Sequence, residues 1–60
     1  MKWIYGEEHQ PNGMKKTYLI NPRYIVMIDM NERSMRIKDR MFPLYYNEED
    51  ELKIIEMLTE

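Results

Sequence analysis

One histidine, one serine and no cysteine are what these 60 residues offer to nucleophilic or proton-transfer chemistry at neutral pH. Both mechanisms require an activated pair held within hydrogen-bond reach. Ser34 falls in the charged loop Asn31-Glu32-Arg33-Ser34, and His9 falls in the polar run Glu7-Glu8-His9-Gln10, so neither has a partner by pattern. The expectation is a chain that is not an enzyme, with no catalytic residue and no cofactor. Glu7, Glu8 and His9 are the one conceivable metal set, but successive residues of an extended chain point to opposite sides and do not close on one ion. A zinc cage of the usual kind lacks its thiolates. Gly6 and Gly13 are the only glycines, and neither opens a helix, which excludes a glycine-rich phosphate loop.

The remaining chemistry is that of surfaces. Seven of the nine basic residues lie between Lys15 and Arg40, and six of the eleven acids lie between Glu48 and Glu60, so a net charge of −2 joins a basic half to an acidic tail. Arg36, Lys38 and Arg40 alternate with Ile37 and Asp39, the spacing that lines cations along one side of a strand, where they can follow a phosphate backbone or steer an acidic protein. Lysine and arginine on a strand also simply keep edges from pairing. Trp3 and Tyr5 near the start, with Tyr45 and Tyr46 after Pro43, form two aromatic groups suited to anchoring a partner. The seven methionines are read chiefly as core filling.

The elements that position these groups follow from hydrophobic period. The chain reads as one small domain over residues 1–60, with strands over about 1–5, 14–20, 24–30, 35–40 and 41–46 and a helix over about 48–58. Pro11-Asn12-Gly13 marks a hairpin turn, expected to be type I′. Residues 24–30 are apolar on both alternating sets, as in a central strand covered on both faces. Met35 and Ile37 alternate with Arg36 and Lys38 as a half-buried strand. Asn47 reads as the N-cap of a helix whose first turn is acidic, and Ile54, Ile55 and Leu58 give it an apolar side. The fold class is therefore mainly β, an α+β arrangement in which four or five antiparallel strands form a sheet or partial barrel and the C-terminal helix covers one side.

From Ile20 onward the order Asn21-Pro22, then Tyr24-Ile25-Val26-Met27-Ile28-Asp29, then Met35-Arg36-Ile37-Lys38-Asp39, then Phe42 to Tyr46 and an acidic helix start, resembles the FlbD-type small bacterial proteins over roughly residues 20–58. The turn that this family builds around glycine reads Asp39-Arg40-Met41 here, and the N-terminal hairpin is longer than the family's. The resemblance implies a non-enzymatic regulatory or accessory protein and carries no catalytic residue over.

A chain of 60 residues buries only about 60% of the surface its unfolded form exposes. With disulfides excluded, self-association is the natural reinforcement. The functional expectation is a non-catalytic protein-binding module, a small bacterial or phage-encoded regulator or inhibitor of a larger partner. Its contact residues are Trp3, Tyr5, Tyr45 and Tyr46, with Arg36, Lys38 and Arg40 for steering. The alternative is nucleic-acid binding through the basic strand. No run reaches membrane-spanning length and no apolar leader opens the sequence, so the expected location is the cytoplasm, with a homo-oligomer among the expected states.

Overall fold

The structure, a computed structural model, describes residues 3–59. Five antiparallel strands form one open sheet: β1 (Ile4–His9), β2 (Lys15–Ile20), β3 (Ile25–Asp29), β4 (Ser34–Ile37) and β5 (Leu44–Tyr45), followed by helix α1 (Glu51–Thr59). The order across the sheet is β2-β1-β5-β4-β3. The last strand in sequence thus joins two hairpins side by side. β5 sets Glu7 opposite Tyr45 on one side, and Ser34 and Met35 opposite Tyr45 and Leu44 on the other.

The first hairpin extends further than its apolar residues suggest. Strand β1 continues through Glu7, Glu8 and His9, which pair with Thr17, Lys16 and Lys15; Met1 and Lys2 of the expected strand lie outside the described residues. The turn is not type I′, because Asn12 keeps a negative φ and only Gly13 is left-handed, at φ 83°. The Gly13 amide donates to the Gln10 carbonyl and the Asn12 side chain accepts from the Met14 amide. This is a type I turn with proline in its favoured second position, followed by a left-handed glycine.

One side of the sheet holds the core. Ile4, Ile20, Met35, Leu44, Tyr46 and Ile54 are buried, and Ile28, Ile37 and Met57 pack against them. Gly6 lies on this side opposite Tyr18, and its missing side chain is structural: a β-carbon there would collide with Ile20 Cδ1 and come within 3.1 Å of Leu44 Cβ. The two strands flanking β1 close over the gap it leaves. Helix α1 covers this side through Ile54 and Met57, while Ile55 is half-buried and Leu58 is exposed, so the expected apolar trio is rotated toward Met57. Before it, Glu48–Asp50 form a 3-10 turn in which the Asp50 amide donates to the Asn47 carbonyl; the Asn47 side chain makes no cap.

Two further expectations are corrected. Strand β3 is an edge strand rather than a central one, with Val26 69% and Met27 54% exposed. A bulge at Val26 breaks its alternation, which is why both sets of positions are apolar without two covered faces. The methionines are mostly outside the core: Met35 is fully buried and Met57 packs against it, whereas Met14, Met27, Met30 and Met41 are exposed.

Candidate interaction surface

Strand register assigns each side chain of the sheet to the covered or the open side. The open side carries Tyr5 and Leu19 as a directly opposed pair, and next to them the row Thr17, Glu7, Tyr45, Ser34 and Asp29 runs across all five strands. A further row places Lys15 opposite His9 on one flank and Arg36 opposite Met27 on the other. Tyr5 is 61% exposed, and exposed Trp3 falls on its side by alternation from Ile4. No helix covers this side.

At one end of it the His9 and Tyr45 rings stack with centroids 4.6 Å apart and planes 9° from parallel. They line a groove of about 650 Å³ together with Pro11, Phe42 and Pro43, with Glu8 also contributing. The groove exists because the β1–β2 turn and the loop before β5 stand side by side. Its walls are rigid rings, which present contact area at little entropic cost.

The expected basic stripe is divided. Extended structure ends at Ile37, where Asp39 takes φ 63° in a turn closed by the Arg40 amide donating to the Ile37 carbonyl. This left-handed aspartate occupies the place where the resemblance called for glycine. Arg36 consequently stays on the open side and Lys38 is exposed in the turn, but Arg40 is carried to the covered side. There its guanidinium lies 3.4 Å from Glu8 and 4.5 Å from the centroid of the Tyr18 ring, and the Tyr18 hydroxyl donates to Glu8 at 3.0 Å. Arg40 is thus a tie between the loop and the first hairpin. Arg33, left-handed at φ 55°, meets Glu48 at 3.5 Å, an exposed pair of small energetic weight.

Of the other expected contact residues, Trp3 and Tyr5 stand on the surface and Tyr45 is half-buried under its stack with His9. Tyr46 does not belong with them. It is 5% exposed, and its hydroxyl donates to Glu51 at 3.3 Å. Burial first, and then the Glu51 carboxylate beside it, push its phenol above the ordinary value near 10. Alternation alone signals the difference, since Tyr45 and Tyr46 must face opposite ways. Sequence reasoning overlooked His9 and Phe42 as surface aromatics, the one read as a turn residue and the other as part of a strand.

Among the described residues, no group of three or more His, Asp or Glu side chains is placed to hold a metal ion, and no helix is long and apolar enough to cross a membrane. Comparison with protein-family models, with curated proteins and with solved structures finds no match.

Proposed function

We propose that the chain is a non-catalytic protein-binding module, a small regulator or inhibitor that docks on a larger partner with the open side of its sheet and the aromatic groove at its end. One observation carries the reading: of the large apolar side chains exposed among the described residues, Trp3, Tyr5, Leu19 and Met27 share the open side and Phe42 lines the groove at its end. Solvent alone does not favour that distribution on one small body, and clustered apolar patches rimmed by charge are the usual mark of an interface. Tyr5, Leu19 and the His9–Tyr45 stack supply the apolar part, and Lys15, Glu7 and Arg36 supply a mixed charged surround. The FlbD-type resemblance fits an accessory protein of bacterial or phage origin, and the cysteine-free composition fits a cytoplasmic site of action.

Nucleic-acid binding is the competing reading. Its expected cations are distributed over two sides of the molecule, and Glu7 and Asp29 interrupt the open side that Arg36 and Lys15 share. Titration of labelled single- and double-stranded oligonucleotides at low salt separates the two. Protein binding predicts no saturable complex, whereas saturable binding that weakens steeply with salt and is abolished in Arg36→Ala/Lys38→Ala would make nucleic acid the partner.

A further inference from the structure

In the middle of the sheet, β1 is longer than the strand beside it. It pairs with β2 along its whole length, but β5 meets it at a single position, Glu7 opposite Tyr45. Carried two residues further, that register reaches His9 and Pro43, and proline has no N–H to give. The Gln10 amide donates across the hairpin to the Met14 carbonyl, so by the alternation of antiparallel pairs the His9 amide and carbonyl point away from β2, toward Pro43. No backbone hydrogen bond joins His9 to Pro43 among the described residues. The ladder is therefore interrupted where the aromatic groove begins.

Most acceptors around this gap are already engaged. The Tyr18 hydroxyl and the Arg40 guanidinium take the two carboxylate oxygens of Glu8, the Gly13 amide takes the Gln10 carbonyl, and the Met14 amide takes Asn12 Oδ1. Two donors, the Asn12 NH2 group and the His9 amide, are left beside one acceptor, the His9 carbonyl. Because Arg40 neutralises Glu8 from within the chain, nothing in the groove calls for a cation. Free donors beside exposed rings call instead for carbonyl oxygens carried on an apolar chain that has few N–H groups of its own.

We propose that the groove takes a proline-rich, extended segment of the protein partner, an inference that rests on the docking role of the open side and names what its groove binds. Proline rings lie against the His9–Tyr45 stack and Phe42, the segment's carbonyls accept from Asn12 and His9, and an occasional non-proline amide answers the His9 carbonyl. Such a segment is extended before it binds, so little order is lost on docking, and aromatic-lined grooves suit it for that reason.

The test is a titration of the isotope-labelled full chain with a synthetic peptide of repeated proline-proline-alanine units, followed by amide chemical shifts, with alanine-serine and glycine-arginine peptides of the same length as comparators. Saturable shifts are expected at His9, Asn12, Phe42 and Tyr45 and not at Leu52, from the proline peptide alone. His9→Ala and Phe42→Ala should each weaken binding by about tenfold with circular dichroism unchanged, since neither side chain is in the core. Pro43→Ala supplies the missing N–H opposite His9 and lets β5 lengthen into the gap, so it should weaken binding as well. No saturable shift with the proline peptide, shifts outside the groove, or equal shifts from either comparator would overturn the proposal. The docking role of the open side is judged separately, by whether the partner crosslinks to Tyr5, which lies outside the groove.

Discussion

Single residues decide how the two halves of this molecule meet. Gly6 has no local reason to be glycine, since it sits within a regular strand, yet Ile20 and Leu44 occupy the space above it. Gly6→Ala is expected to destabilise the fold by about 1–3 kcal/mol in denaturant titration, because the Leu44 β-carbon is fixed to a neighbouring strand and cannot retreat as the end of Ile20 can. A variant as stable as the wild type would show that β5 shifts freely. Tyr46 makes a prediction about pH. Its phenol is raised in the folded state, so the neutral form is favoured there and the unfolded chain ionises first. Stability from this group is therefore complete below about pH 10 and is lost as pH rises through the folded value. Comparing unfolding at about pH 9 and about pH 11, Tyr46→Phe should show a smaller alkaline loss than the wild type; equal losses would place the cause elsewhere. That Tyr46 faces away from Tyr45 was legible from alternation, but its role as hydrogen-bond donor to Glu51 was not, because the residue just after β5 and a helix residue meet there only after the chain has turned.

Among elements, strands were legible where polar and apolar residues alternate and were misread where that rule fails for a local reason. Residues 35–40 read as a half-buried strand and are one as far as Ile37, where β4 ends. Residues 24–30 read as a central strand because both sets of positions are apolar, and the cause is a bulge that a sequence pattern does not reveal. Glu7, Glu8 and His9 read as loop because they are polar, although they pair with a lysine-rich partner strand, a cross-strand charge match visible only once the hairpin register is fixed. The connection after β4 depends on Asp39, whose left-handed conformation turns the chain so that Arg40 reaches Glu8 and Tyr18 rather than extending the basic stripe. Asp39→Val is expected to cost about 1–2 kcal/mol, the penalty for a bulky residue in that region, while Asp39→Gly should hold or raise the melting temperature. If valine is tolerated as well as glycine, the turn does not require its left-handed residue.

The whole molecule is a thin sheet with a helix on one side, and the class and the C-terminal helix were both readable from period and turn signals. Strand order was not, because nothing in residues 44–45 announces that so short a strand lies between the two hairpins. The candidate surface was half legible for the same reason: Trp3, Tyr5 and Tyr45 stand out by type, but the His9–Tyr45 stack and the division of the cations between two sides depend on that order. Aromatic anchors carry a disproportionate share of interface energy, so Tyr5→Ala and Tyr45→Ala are each expected to weaken partner binding by about 2 kcal/mol or more while the fold survives, since neither side chain is in the core. Retained affinity in both variants would remove the open side from consideration.

The most direct measurement is site-by-site photo-crosslinking in the source cells, with a photoreactive residue placed in turn at Tyr5, Tyr45 and, on the outer face of the helix, exposed Leu52. Docking through the open side of the sheet gives one protein adduct of constant mass from Tyr5 and Tyr45 and none from Leu52. Adducts from Leu52 alone would place the partner on the helix and contradict the assignment of the open sheet as the docking face.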